Sequence, residues 1–277
     1  MLRIYQPVPE VLDALRSSRM SVAVGPKNEE LQNLAASPDA AAAIAPYRND
    51  VQFKWITLRN EFMPGPLATY VAPAMNNVRN ALMSIGLNVV KVTTVLPSNP
   101  LSASYLPSAG TFDSSITGIM SDIASILVQD GAPLMLNLYP YFPYSSDPDH
   151  ISLAYALFRA TSPPVVDGRL NYFNLFDAMV DSFNAALEKI NYGAVVLAIS
   201  ESGWPTTGNA PFASIENSQT CNKNLLEHVP TNGTPRRPSV LMDTFFFEMF
   251  NENLKESGVE QNFGFFYSNM EPVYPFW

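Results

Sequence analysis

An α/β fold with a parallel sheet, closed as a (β/α) barrel rather than wound as an open sheet, is what three observations on this 277-residue chain predict. Short, nearly continuous apolar runs alternate with longer segments of helical period, the pattern of strands buried on both faces and joined by amphipathic helices. No GxGxxG or GxxxxGK[ST] loop succeeds any run, which argues against a doubly wound nucleotide-binding sheet. Carboxylates and aromatics recur just past the ends of the runs, where barrels build their sites.

Leu2–Tyr5 (LRIY) reads as the first strand, and Val8, Val11, Leu12 and Leu15 give the next segment a helical stripe, with Pro9 near its start. SVAVG (Ser21–Gly25) and VQFKWITLRNE are strands, the second closing on Glu61. A helix then carries Val71, Met75, Val78, Leu82 and Ile85 and stops at Gly86. VVKVTTV (Val89–Val95) is a strand, and beyond a Pro- and Ser-rich loop lies a helix with Ile116, Ile119, Ile123, Ile126 and Leu127 inward and a stop at Gly131. PLMLNLYPYF (Pro133–Phe142), a helix with Met179, Phe183, Leu187 and Ile190, VVLAISE, and SVLMDTFFFEMFNE (Ser239–Glu252) as the last strand complete the chain. With no repeat, low-complexity tract or long linker to divide it, residues 1–277 are expected to form one domain.

Composition narrows the function. A hydrophobic fraction of 47% with 15% charged residues fits a globular chain. A formal charge of −9 opposes a phosphate backbone, and no basic, aromatic-interleaved run offsets it, so nucleic acid is not expected as a partner. Cys221 is the single cysteine, and His150 and His228 lie far apart without ligand spacing, so neither a disulfide nor a metal is expected. No apolar run reaches the roughly 20 residues of a membrane helix, and no leader is read at the N-terminus. Asn232-Gly233-Thr234, with Pro235 next to it, is a weak glycosylation signal.

Two carboxylates share one context: Glu61 and Glu201 each end an apolar run, after Asn60 and Ser200, and before a turn. Placed at the ends of barrel strands, both would project toward the same end of the sheet. Glycoside hydrolysis uses such a pair, one carboxyl as acid and one carboxylate as nucleophile or base, about 5–5.5 Å apart for retention and about 6.5–9.5 Å for inversion. A single strand-end glutamate more often pairs with a cation or caps a helix; the pairing and the neighbours favour the chemical reading. Trp204 and Tyr139, Tyr141, Phe142 and Tyr144 are candidate platforms for the apolar face of a sugar, with core packing as the alternative for several of them.

The stretches VVLAISESGWPTTGNAP, APLMLNLYPYFPYSSDP, RIYQP, YLPSAGTF, ISLAYALF, YFNLFDAMVDS, GTPRRP and FNEN…FGFFYSNMEPVYP resemble plant endo-1,3-β-glucanases of glycoside hydrolase family 17 over nearly the whole chain. The resemblance implies a (β/α)8 barrel that cleaves internal β-1,3 linkages of glucans with retention, through a covalent glycosyl-enzyme and without metal or cofactor. It implies Glu201 of SESGWP as nucleophile and Glu61 of RNE as acid/base, matching a GNE motif, with Asn60 toward the sugar 2-hydroxyl. It further implies Tyr5, Asn137, Tyr139, Phe142 and Trp204 as cleft residues, and Glu252 and Lys255 as the polar support of the nucleophile. A monomer acting on a β-1,3-glucan is expected, in a family usually secreted or vacuolar.

Against that pattern the chain begins at the family's second strand, an open edge in the expected barrel. Arg59 replaces the glycine of GNE, and its charge, if it reaches Glu61, would deprive the acid of its proton. Gln6 replaces an aspartate, Asp243 a glutamate, and Cys221 a tyrosine. A catalytically impaired or inactive glucan-binding homologue is therefore the alternative expectation, and glycosyl transfer is a second enzymatic one.

Overall fold

The apolar runs become a parallel sheet. In a computed structural model describing residues 1–27, 30–36, 42–61 and 63–276, seven strands pair in the order β1 (Leu2–Ile4), β2 (Ser21–Val24), β3 (Gln52–Asn60), β4 (Lys91–Leu96), β7 (Leu134–Asn137), β10 (Leu197–Ser202) and β11 (Thr244–Phe246). The interposed β5 (Leu101–Ala103) with β6 (Thr111–Phe112), and β8 (Val165–Asp167) with β9 (Leu170–Tyr172), are two-stranded antiparallel pairs. Helices α1 (Pro9–Leu15), α2 (Leu31–Ala36), α3 (Val71–Ser84), α4 (Thr117–Asp130), α5 (Tyr141–Ser146), α6 (Leu153–Ala156), α7 (Leu175–Lys189) and α8 (Ile215–His228) fill the connections. Each parallel strand thus neighbours the next one in the chain, with helix between, the topology of the (β/α)8 barrel. An eighth parallel strand is not among the described residues. Nor, among them, is any helix long and apolar enough to cross a membrane.

Contacts group the chain into two compact units, residues 1–103, 111–137 and 186–198, and residues 104–110, 138–185 and 199–277. In the first, β2, β3 and β4 bury Val22, Ala23, Leu58, Val92 and Val95, and the hydroxyls of Thr93 and Thr94 donate to the carbonyls of Pro133 (2.5 Å) and Leu58 (2.7 Å). These threonines enter the core because each carries its hydrogen bond with it. Gly25 succeeds β2 where a Cβ would lie 2.4 Å from the Thr57 carbonyl oxygen, so only glycine fits. Asn77 of α3 donates to the carbonyls of Leu34 and Ala35, which α2 leaves without helical partners.

The second unit is aromatic. Trp204, Tyr141, Tyr172, Phe176, Phe183 and Phe263 are all but sealed from solvent. Asp181 of α7 is equally buried and accepts four hydrogen bonds, from Tyr172 Oη (3.0 Å), Thr234 Oγ1 (2.5 Å), Asn184 Nδ2 (3.0 Å) and the Arg236 amide (2.9 Å). Burial raises its pKa and the four donors pull against that rise. The Cys221 thiol sits in the same core, pushed up to about 12 by burial, as a packing residue. His228 bonds Asp177 at 2.8 Å, while His150 bonds Asp147 on the surface.

One local expectation changes, and two elements appear that the apolar pattern does not announce. The final strand spans Thr244–Phe246 rather than Ser239–Glu252, because after Phe247, whose amide still donates to the Ser202 carbonyl, the backbone turns to another partner. The Glu248 amide donates to the Phe263 carbonyl, and the amides of Phe265 and Phe266 donate to the carbonyls of Glu248 and Met249. The hairpin β8–β9 turns at Gly168–Arg169, with Gly168 left-handed (φ 63°), a glycine-led two-residue loop that lies between VVD and LNY in the sequence. Helix α8 begins at the Ser214 cap, whose hydroxyl accepts from the Asn217 amide; its weak apolar stripe does not announce it.

Candidate active site

Two groups of functional side chains stand on two sets of strand ends. The first belongs to β1, β3 and β7. The pairing of β3 with β4 slips between Leu58 and Asn60, leaving Arg59 as the extra residue of a β-bulge in the left-handed region (φ 63°). A bulge re-aims the residues beyond it, here Asn60 and Glu61, and its left-handed position is one where glycine costs least. Arg59 nevertheless is buried there and lines a cavity of about 350 Å3 with Arg3, Tyr5, Lys27, Thr57 and Asn60.

Past the bulge Glu61 is exposed, its amide donating to the Val95 carbonyl at 3.3 Å. Asn137, buried at the end of β7, donates through Nδ2 to Glu61 Oε1 (3.0 Å) and Asn60 Oδ1 (2.9 Å). Arg3 donates to the same Asn60 oxygen (3.0 Å) and to Tyr5 Oη (3.3 Å), with its guanidinium carbon 4.3 Å from the centre of the Tyr5 ring. Tyr5, Asn60, Glu61 and Asn137 are thus linked through hydrogen bonds, with Arg3 among them. Spacing is its signal: residues two apart on a strand share a face, so Arg3 accompanies Tyr5.

The second group surrounds Glu201. This carboxylate lies inside β10, 6% exposed, and accepts from Tyr139 Oη at 2.8 Å, while its carbonyl accepts from the Leu138 amide at 2.9 Å. Tyr139 is itself buried, edge-on to Phe142, Phe247 and Phe263. It holds the carboxylate rather than presenting its face. Tyr141 and Trp204 likewise pack in the core, with Trp204 completely buried and its indole N–H on the Phe212 carbonyl (3.0 Å). The expectation that Trp204 lines a cleft is thus corrected: an indole without exposed surface has no face for a sugar. Phe142, 39% exposed, keeps part of its ring accessible.

Glu252 and Lys255 form an ion pair at 2.5 Å, and the Lys255 ammonium also lies 4.7 Å from the centre of the Phe247 ring. Burial lowers the Lys255 pKa, but Glu252, with Glu248 and Glu260, outweighs it and the net shift is upward. Glu248, which the apolar pattern places inside a strand, belongs to this cluster. Its carboxyl is pushed up to about 9, first by burial, then by the hydrogen bond and charge of Glu252 and by Glu201, against the pull of Lys255.

The chain is similar to known proteins over nearly its whole length. The family model described as "Glycosyl hydrolases family 17" matches residues 1–276. A "Glucan endo-1,3-beta-glucosidase" of Vitis vinifera is 40% identical over 99% of this chain and 82% of its own length. "Lichenase-2" of Hordeum vulgare is 42% identical over 99% of this chain and 88% of its own length. A structure from work on two plant β-glucan endohydrolases with distinct substrate specificities superposes with a TM-score of 0.93 at 41% identity, covering 99% of this chain and 89% of that one.

Proposed function

Because the chain belongs to glycosyl hydrolase family 17, we propose that it is an endo-acting glucan hydrolase that cleaves β-1,3-glucosidic bonds with retention, Glu201 serving as nucleophile and Glu61 as acid/base. The observation that carries the reading is the contrast between the two carboxyl groups. Glu201 is buried and fixed by the Tyr139 hydroxyl, as an attacking carboxylate must be held, whereas Glu61 is exposed beside the Asn137 amide, open to proton exchange with substrate and water.

In the first step Glu61 gives its proton to the departing glycosidic oxygen as a Glu201 oxygen bonds to the anomeric carbon, and the C–O bond to the leaving sugar breaks. In the second, Glu61, now a carboxylate, takes a proton from water; the resulting hydroxide character attacks the anomeric carbon, and Glu201 leaves as carboxylate. Asn60, whose Oδ1 accepts from Arg3 and Asn137, would hydrogen-bond the sugar 2-hydroxyl. Phe142 offers its exposed ring to the substrate, and Glu252 with Lys255 supports the nucleophile.

The test is reducing-end release from laminarin, with the anomer first formed tracked by proton NMR. The β-anomer should appear first, Glu201→Gln should stop turnover, and Glu61→Gln should lower it about 10²–10⁴-fold. Turnover by Glu201→Gln, or initial α-anomer, would reject the assignment. A mixed-linkage β-1,3;1,4-glucan is the second substrate to assay, since Lichenase-2 is as similar to the chain as the β-1,3-glucosidases are. Binding of glucan without cleavage of either would identify the chain as a glucan-binding homologue.

A further inference from the structure

The second unit holds a cavity of about 610 Å3, open at the surface, and none of its lining residues belongs to either group of the candidate active site. Its walls are the β8–β9 hairpin, the start of α7, the end of α8 and the loop after it. Strand alternation supplies one wall. Tyr172 turns inward and donates to Asp181, so Asn171 and Phe173 on either side of it face outward and line the cavity. Helical spacing supplies another, since Asn224, Glu227 and His228 stand at i, i+3 and i+4 on one face of α8.

The polar groups beneath are already engaged with one another. His228 Nε2 bonds Asp177 Oδ1 at 2.8 Å, Asn174 Nδ2 donates to Asp177 Oδ2 at 2.8 Å, and the Asp177 amide donates to Asn174 Oδ1 at 2.7 Å. Both oxygens of the buried Asp177 carboxylate are thereby occupied, which leaves exposed Glu227 as the charge the cavity presents. No lysine or arginine is among its described lining residues. Asn224 and Asn232 donate through Nδ2 to the Leu157 carbonyl (2.7 Å) and to Thr231 Oγ1 (2.9 Å), so their oxygens remain as acceptors. Phe173 is 45% exposed and meets no other ring among the described residues.

Those features select a class of ligand. An anion would meet only negative charge there, and a wholly apolar molecule would cover the acceptors without giving them donors. A neutral sugar offers hydroxyls to the acceptors and an apolar C–H face to an aromatic ring, and the volume lies within the range of about 300–1,000 Å3 usual for small-molecule sites. We propose that this cavity is a second saccharide site, in which Phe173 stacks on a sugar ring while Asn171, Asn224 and Glu227 bond its hydroxyls. It binds and breaks no bond. The choice of a β-1,3-glucan as the first sugar to try rests on the proposed function; the chemistry of the cavity does not.

The chain has two histidines, which makes their imidazole proton signals a local readout: His228 lines the cavity, and His150 lies on the surface against Asp147. Laminarihexaose, cellohexaose and maltohexaose are titrated at constant pH into the full chain carrying Glu201→Gln, with His150→Gln used to assign the two signals. The His228 signals should shift and saturate with at least one of the three sugars while those of His150 stay in place. Phe173→Ala should weaken that binding about tenfold, as the loss of a stacking anchor does. It should leave the melting temperature and kcat on laminarin unchanged, since the ring is half exposed and belongs to neither catalytic group. Unmoved His228 signals up to the solubility of all three sugars would overturn the site. So would a shift that Phe173→Ala leaves intact, which would place the sugar elsewhere, or a shift given by spermidine and by no sugar, which would make the cavity a cation site. If the wild type cleaves no β-glucan, the glucanase reading fails while the His228 signals still decide the cavity.

Discussion

Tyr139 shows what a single hydroxyl does here. Its ring is locked edge-on among Phe142, Phe247 and Phe263, so its Oη reaches Glu201 without a search over rotamers. Hydrogen bonds to charged groups are worth about 1.5–3 kcal/mol. Tyr139→Phe keeps the packing and removes the donor, so kcat on laminarin should fall about ten- to a hundredfold with the melting temperature changed by only a few degrees; unchanged kcat would strip Tyr139 of its part. Trp204 separates packing from recognition in the opposite sense. As a completely buried residue it should cost about 3–5 kcal/mol on truncation to alanine, read as a lower denaturation midpoint. A raised KM with unaltered stability would instead return Trp204 to the cleft. The sequence contains both tryptophan and tyrosine beside the right motifs, but exposure is decided by neighbours from distant segments, and no local pattern reports it.

At the scale of elements, the strands and helices with strong period are legible in the sequence, while those depending on distant partners are not. Strand β3 ends where the run VQFKWITLRN ends, and α4 stops at left-handed Gly131 as expected. The last run reads as one long strand because FFFEMF is apolar on both sides of its one carboxyl, yet its pairing passes from β10 to residues 263–266 after three residues. Glu248, in the middle of that run, is hidden for the same reason. Gly203 is what permits the passage, since a Cβ there would lie 2.2 Å from the Phe247 carbonyl oxygen. Gly203→Ala should push Phe247 away from Ser202, destabilise the chain by about 1–3 kcal/mol as overpacking does, and lower activity by displacing Glu248 and Glu252. Denaturant unfolding and laminarin turnover measured on the same preparation would check both; a fully active, fully stable variant would mean that the approach of the two segments is dispensable.

At the scale of the whole molecule, charge and pH act together. The chain carries a formal −9, so self-repulsion grows as its remaining carboxyls ionise with rising pH. Two buried carboxyls add to this in the same direction. Glu248 and Asp181 both have folded pKa values above their unfolded ones, each chiefly because burial disfavours the charge. A raised carboxyl pKa means that the folded state binds more protons than the unfolded chain, so the stabilisation is complete below the unfolded pKa and is lost as pH climbs toward the folded one. For Glu248 that window runs from its ordinary value of 4.5 to about 9. Asp113, held low by Ser115, has the opposite sign but lies at the surface, where solvent screening leaves it little weight. Thermal unfolding should therefore show a melting temperature that is higher at pH 5 than at pH 8. Added salt at pH 8 should recover the part due to surface repulsion and leave the buried part, since screening acts on exposed charges. Glu248→Gln should flatten the remaining slope. A melting temperature that rises from pH 5 to pH 8 would show that the buried carboxyls ionise in the folded protein, their hydrogen-bond donors outweighing burial.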